Sequence, residues 1–423
     1  MLLRATRSVI QSFRDGRLDI LLQECLTLTY NAVVFAEENG TGNRKGMKEF
    51  YRSLKGVELQ SCYKLAVIAR ACAIVKSRAK GRNRGSRIHH PNPLRPMVCI
   101  VSGFFVTAKG RLFLPIQRRN DYVDVLLNHH VREAIEGNEL RSLTITQGSI
   151  SICYSTEIEP IQIRIAYGVD RNEKNITFGS RNGVVQVDMS KTVKVRQTTR
   201  EIVGSFKRND VRVRKRIASK YWRRATDRTN QLLHAATNFA IELALKDGAA
   251  LVLEDITGIR RIHQRGNGKG ADFRFRMNSW PYAKAYGFMD YKSDWRGVTF
   301  IPLTKAETKD SSSIHWRCGE RLRSPARGDA VHARMLWCQR CKEWMDRDVN
   351  AAVNLSTRGL SRFDSSLPRL DRAQQRLVGE KGLAGEAMKG NGATSVPILR
   401  VDASKLLGRH RPEVNGFGHD QRS

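Results

Sequence analysis

Apolar positions recur at helical spacing through RLDILLQECLTLTYNAVVFAEENG (17–40) and ELQSCYKLAVIARACAIVKSRAK (58–80), with charges between them, so the chain is predicted to open as helices. The pattern changes to alternation further on. MVCIVSGFFVTAKGRLFLPI reads as two strands around an Ala-Lys-Gly turn, and SLTITQGSISICYSTEI and PIQIRIAYGVD continue the same β-branched alternation. The first segment is thus expected to carry helices over about 5–80 and strands over about 97–162.

From residue 163 the periods shift again. IRIAYGVD, NITFGS and GVVQVDMS predict a meander of three short strands with turns at RNEK and RNG. A helical stretch over about 211–247 leads to the buried-strand run ALVLED (250–255). A Gly/Arg-rich loop (256–279), a helix (281–294), the strand GVTFIPL (297–303) and a helix at DVNAAVNLSTRGL (348–360) follow. Meander, helix, strand, helix, strand, helix is the order of an RNase H-like α/β fold. Residues 361–423, rich in Gly, Ser and charge, lack periodicity and read as a disordered tail.

Composition narrows the partner. The 423 residues hold 74 Lys+Arg against 41 Asp+Glu, a formal net charge of +33, which argues against a typical metabolic enzyme and for a polyanion. A small operator-binding protein makes ~6–10 phosphate contacts, whereas a ~20 bp duplex carries roughly 40 phosphates; the excess suits the second cargo. Part of it lies in KSRAKGRNRGSR (76–87), where Arg78, Lys80, Arg82 and Arg84 form a candidate phosphate-contacting loop. More lies in a predicted basic helix at 192–229, with thirteen Lys/Arg and three acids. Its candidate contacts are Arg212, Arg214, Lys215, Arg216, Lys220, Arg223 and Arg224, with Tyr221 and Trp222 placed to stack on bases or to pack. No run reads as a membrane span and the N-terminus lacks an apolar signal region, so a cytoplasmic protein is expected.

Against that positive background, acids at element ends stand out. Asp170 ends the strand IRIAYGVD, Glu254 ends LVLE, and Asp348 opens the last helix, whose Ala351 and Ala352 would let it approach a sheet closely. Singly these are a turn former, a paired strand end and a helix cap. Together they match what phosphodiester cleavage needs, a few carboxylates holding two Mg²⁺ ions ~3.5–4 Å apart. Mn²⁺ is a possible substitute. Asp255 and Asp346 are the neighbours most easily mistaken for them. Of eight cysteines, three cluster: Cys338-x-x-Cys341 is half of a tetrahedral Zn²⁺ site, and His315-x-x-Cys318 stands where the other half belongs. His332 is a competing nitrogen donor.

The ordered set GVDRNEKN, VLEDITG, H-x-x-C with C-x-x-C, and DRDVNAAVNL resembles the TnpB proteins of insertion sequences, RNA-guided DNA endonucleases related to compact type V CRISPR effectors. RTNQLLHAATNFAIELA, Trp280, YKSDWRGV and Ser311-Ser312 extend the match over roughly 163–357; His315 departs from it, since the family usually has cysteine there. The resemblance implies a RuvC-type nuclease in two parts (163–310 and 346–360) interrupted by a zinc ribbon (311–345), with a recognition lobe and wedge-like β-barrel over 1–162. It further implies Asp170, Glu254 and Asp348 as the catalytic acids, a guide RNA and target DNA as partners, and action as monomer or homodimer. Two rivals keep the fold: a guide-free transposase or structure-specific nuclease, and a cleavage-dead RNA-guided repressor. The repressor reading expects at least one acid to be lost, and all three stand.

Overall fold

The computed structural model describes residues 3–407 apart from 84, 86–88, 90–92, 94, 117–120, 207–209, 257, 260–267, 269, 327–328, 330–333 and 363–395. Two compact units divide the chain, one formed by Arg4–Glu157 and the other running from Ile158 onward.

The first unit opens with a strand, β1 (Leu3–Ser12), where helix was expected; among its described side chains only Ala5 and Val9 are buried, which leaves too short an alternation to read. Helices α1 (Gly16–Glu38), α2 (Lys48–Ser53) and α3 (Ser61–Arg82) follow. Asp15 caps α1 by accepting from the Arg17 N–H at 2.8 Å. By length and composition alone α1 could cross a membrane, but Leu18, Leu21, Leu22, Cys25, Ala32 and Val33 form a buried stripe within the unit's core. The basic run expected to be a loop is mostly helix, because α3 continues to Arg82 with Lys80 and Arg82 in its last turn, where cations offset the helix dipole.

The strands β2 (Met97–Ile100), β3 (Phe105–Val106), β4 (Arg111–Pro115) and β5 (Tyr122–Leu126), the short helix α4 (His129–Ile135), and β6 (Glu139–Thr146) and β7 (Ser149–Ile158) complete this unit. They make two sheets, ordered β1-β7-β6-β2 and β3-β4-β5.

The second unit is built on one six-stranded sheet. Its first three strands are the predicted meander, β8 (Ile165–Arg171), β9 (Asn175–Ser180) and β10 (Gly183–Asp188). The single basic helix expected at 192–229 is two helices, α5 (Ser190–Gly204) and α6 (Ala218–Asp247), the second preceded by one π turn at Val213–Ile217. After β11 (Ala249–Glu254), the Gly/Arg-rich stretch includes a helix, α7 (Ala271–Ser279), that buries no residue and so carries no amphipathic signal. Helix α8 (Tyr282–Arg296), β12 (Phe300–Leu303) and the short α9 (Lys305–Thr308) lead to a hairpin of β13 (Met335–Cys338) and β14 (Glu343–Asp346), then to α10 (Arg347–Ser361). The tail is not wholly without order. β15 (Ile398–Asp402) joins the sheet and a short helix α11 (Ala403–Leu406) follows it, with Val396, Ala403 and Leu406 buried; residues 363–395 and 408–423 lie outside the described residues.

The sheet order is β12-β11-β8-β9-β10-β15. β8 is parallel to β11 and antiparallel to β9, and β15 adds parallel to β10. Strand alternation gives the sheet two apolar faces. Val169, Leu251 and Leu253 pack with Leu232, Leu233, Ala236 and Ala240 of α6, while Ala166, Ala250 and Val252 pack with Leu355 of α10. The α10 face is unusually close. A side chain at Gly168 would lie 2.0 Å from the Ala352 carbonyl, and one at Gly359 2.2 Å from Val252. The Ser356 hydroxyl donates to the Ala166 carbonyl at 2.6 Å across the same seam. Backbone contact of this kind fixes the N-terminus of α10 over the ends of β8 and β11.

Candidate active site and metal centre

In the parallel pair β8–β11 the last registered partners are Val169 and Leu253, so Asp170 and Glu254 are the next residues along adjacent strands and share the face toward α10. Asp348 occupies the first turn of α10 on that face. Asp170 is 9 % exposed and Asp348 1 %, whereas Glu254 is half-buried. Burial first, then the charges of Glu254 and Asp348, push the Asp170 carboxyl well above its ordinary 3.8. Burial likewise raises Glu254, against the opposing pull of Arg171.

Side chains that the motifs only bracketed hold this cluster. Asn172, in the turn after β8, donates to Asp170 Oδ2 at 2.7 Å, and Asn175, the first residue of β9, to Asp348 Oδ2 at 3.0 Å. Arg334 also donates to Asp348 Oδ2. Arg171, pointing to the opposite face from Asp170, donates to the backbone carbonyls of Glu254 at 2.6 Å and Tyr282 at 3.1 Å. Asp346 is the cap of α10: its Oδ1 accepts the N–H groups of Asp348 at 2.8 Å and Val349 at 3.2 Å. That division of labour explains why two nearby acids look alike in sequence and differ in place.

Asp348 Oδ1 is buried and has no hydrogen-bond partner among the described residues. Arg347 Nε lies 3.8 Å from it; a buried carboxylate oxygen that accepts no hydrogen bond, close enough to Asp170 to raise its carboxyl, fits an oxygen-ligated divalent cation. Asp170, Glu254 and Asp348 are the residues that would hold it.

The second donor cluster is brought together by two turns. Cys338 ends β13 and Cys341 sits in the tight turn before β14, where Lys342 takes φ +53°. Across from it, the His315 N–H bonds the Glu320 carbonyl at 2.8 Å and the Gly319 N–H returns to the His315 carbonyl at 2.9 Å. One donor atom from each of His315, Cys318, Cys338 and Cys341 lies within 4.8 Å of all the others. His315 Nδ1 is 3.2 Å from Cys318 Sγ, which is 3.5 Å from Cys338 Sγ. A tetrahedron with Zn–S bonds of ~2.3 Å has S···S edges of roughly 3.8 Å, so the set fits zinc. Burial keeps His315 below the ordinary imidazole range, hence neutral, and its Nε2 lies 3.3 Å from Glu343, the kind of outer carboxylate that fixes a ligating imidazole. Burial opposes ionisation of Cys318, but the Glu320 N–H, the facing thiols and Arg340 outweigh it and hold the group low. Desolvation and the same thiols push Cys341 up to about 12. His332 lies outside the described residues.

Helix α10 joins the two centres. Asn350 and Asn354, one turn apart, donate to the carbonyls of Ser311 and Ile314 at 2.7–3.2 Å, and Asn350 Oδ1 accepts from the Trp316 N–H at 3.0 Å. The two asparagines of DVNAAVNL carried that signal in the sequence, as an i,i+4 amide pair on one helix face.

The candidate nucleic-acid contacts divide. Arg78 is paired with Glu37 and its side chain is 10 % exposed, so it is committed within the fold. Lys80, Arg82, Arg212, Arg216, Lys220, Arg223 and Arg224 are exposed. Arg84 and the side chains of Arg214 and Lys215 lie outside the described residues. Tyr221 and Trp222 pack internally, edge-on to Phe206 and tilted against Phe275, with centroids at 5.7 and 6.2 Å.

The chain is similar to known proteins. The family model of the Cas12f1-like TNB domain matches residues 282–355, the span that holds His315, Cys318, Cys338, Cys341 and Asp348. A TnpB-like protein of Methanocaldococcus jannaschii is 28% identical over 247 residues, covering 55% of this chain and 84% of that protein. Among solved structures, the cryo-EM structure of the Cas12f1-sgRNA-target DNA complex superimposes with a TM-score of 0.53 at 11% identity, over 81% of this chain and 82% of that one, a likeness of fold. A cryo-EM structure of a CRISPR-Cas12f ternary complex gives a TM-score of 0.35 at 12% identity, over 84% and 81%.

Proposed function

We propose that this chain, which belongs to the TnpB family, is an RNA-guided, Mg²⁺-dependent DNA endonuclease of a transposable element. The observation that carries the proposal is the convergence of Asp170, Glu254 and Asp348 from two adjacent strand ends and one helix start onto a single face. In this reading residues 163–310 and 346–360 form a RuvC-type nuclease, 311–345 a zinc ribbon, and 1–162 a recognition lobe with a wedge-like domain. The protein acts in the cytoplasm as monomer or homodimer.

Asp170, Glu254 and Asp348 would hold divalent ions, whose chemistry when bound would be activation of the attacking water and stabilisation of the leaving oxygen. The chain's own work is placement. Asn172 and Asn175 fix the rotation of two carboxylates, Arg171 ties the end of β11 to β8 through the Glu254 carbonyl, and Arg334 offsets part of the charge on Asp348. The ribbon is structural: a closed set of four ligands leaves no open position for substrate. Duplex pairing supplies sequence specificity, and exposed cations such as Lys220, Arg223 and Arg224 grip backbone.

The test is purification with co-expressed flanking transposon RNA, followed by challenge with a plasmid library. Near-stoichiometric bound RNA and cleavage directed by its sequence are expected. Cleavage that persists after the RNA is removed would instead favour a guide-free transposase or structure-specific nuclease of the same fold.

A further inference from the structure

Beside Asp348, between β10, β15 and the start of α10, the second unit carries an open cavity of about 460 Å³. We propose that this cavity binds a phosphodiester of the DNA strand being cut, flanking the scissile bond, with Lys174 and Arg400 as its cations. The inference rests on reading the three acids as a DNA-cutting centre and goes further, to where the strand leaves it.

Position is the first argument. Asn175 and Arg334 line the cavity and both donate to Asp348 Oδ2, so one wall serves the acid cluster and the cavity alike. A strand lying over Asp348 has to leave along some wall, and this one is hollow. The volume lies in the range of roughly 300–1,000 Å³ that holds small organic ligands, enough for one nucleotide.

Charge is the second. Three acids line the cavity, but each is engaged by a helix start: Asp188 accepts from the Ser190 N–H at 2.8 Å, Asp346 from Asp348 at 2.8 Å and Asp402 from Ser404 at 2.7 Å. The cations are less committed. The Lys174 ammonium has no partner among the described residues, and Arg400 uses only its Nε, donating to Gln186 Oε1 at 3.2 Å. Gln186, 7 % exposed, is itself held through Nε2 to Asp346 Oδ2 at 3.3 Å. Arg400 is therefore fixed at one nitrogen and free at the two that form bidentate pairs with phosphate. Its strand comes from the segment that carried no periodicity, so β15 adds a phosphate ligand to the nuclease sheet as well as a sixth strand.

The experiment combines substrate and protein changes in single-turnover cleavage by the RNA-loaded full-length protein. A methylphosphonate, which removes the charge of one phosphate, is placed at each position flanking the scissile bond. Wild type should slow roughly tenfold at one of these positions, a loss of about 1.4 kcal/mol. Lys174→Gln with Arg400→Gln should slow the all-phosphate substrate by a similar factor and show no further loss with the methylphosphonate. Losses that simply multiply overturn the subsite. So does a Gln186→Leu variant reproducing the whole effect, since Arg400 would then act only by bracing Asp346. A second measurement needs no cleavage: hydrogen exchange on the wild-type protein with hexathymidylate should protect 183–188 and 398–402. Protection confined to other segments overturns the subsite even where cutting is intact, and protection there without cutting retires only the nuclease reading.

Discussion

Asp170 carries a charge that its surroundings oppose. Burial and two neighbouring acids raise its carboxyl above 3.8, so in the metal-free protein the folded state keeps a proton that the unfolded chain gives up. Stability from this group is full below pH 3.8 and falls as pH rises through the folded-state value. Asp170→Asn should therefore raise the melting temperature at pH 8 without added divalent ions, where each kcal/mol is worth about 2–4 °C, and change it little at pH 4. Added Mg²⁺ should stabilise wild type and do much less for the variant. Thermal unfolding by circular dichroism checks this, and an unchanged melting temperature at pH 8 would mean that the acids do not repel one another. The acid positions were legible because an ionisable residue ending an apolar strand is costly without a partner. Arg171, Asn175 and Arg334 were not, since nothing in a run of basic or turn-forming residues says which one faces inward.

Helix α10 is the element on which the account turns. Its small residues seat it on β8, its first turn carries Asp348, and Asn350 and Asn354 hold the loop that bears His315. Purified protein should contain about one zinc per chain by atomic emission. Cys338→Ser should lose it and several degrees of melting temperature, whereas His315→Cys should keep it; a wild-type protein free of zinc contradicts the ribbon reading. Elements with a long buried stripe were readable from sequence, α1 and α6 above all. Those missed have physical reasons. β1 buries two side chains, α7 buries none, and β15 is five residues long, so none presents a period to detect. The break between α5 and α6 was hidden because basic residues run through both, and charge continuity was taken for helix continuity.

Across the whole molecule the net charge of +33 is now partitioned. Arg78, Arg171 and Arg334 are spent inside the fold, on Glu37, on the Glu254 carbonyl and on Asp348. The exposed remainder along α3 and α6 is available to a long polyanion. The polyanion was legible in composition and the three acids in the strand and helix ends, whereas their meeting at one point needed the fold, which joins residues 84 and 94 positions apart in sequence. The most direct measurement is single-turnover cutting of a matched DNA target by the RNA-loaded protein carrying Asp170→Asn, Glu254→Gln or Asp348→Asn. Each should lower the rate by at least about a thousandfold, equivalent to about 4 kcal/mol, while target binding in a gel-shift assay stays within a few-fold of wild type. Cutting at a near wild-type rate by any of the three would contradict the assignment of the active site.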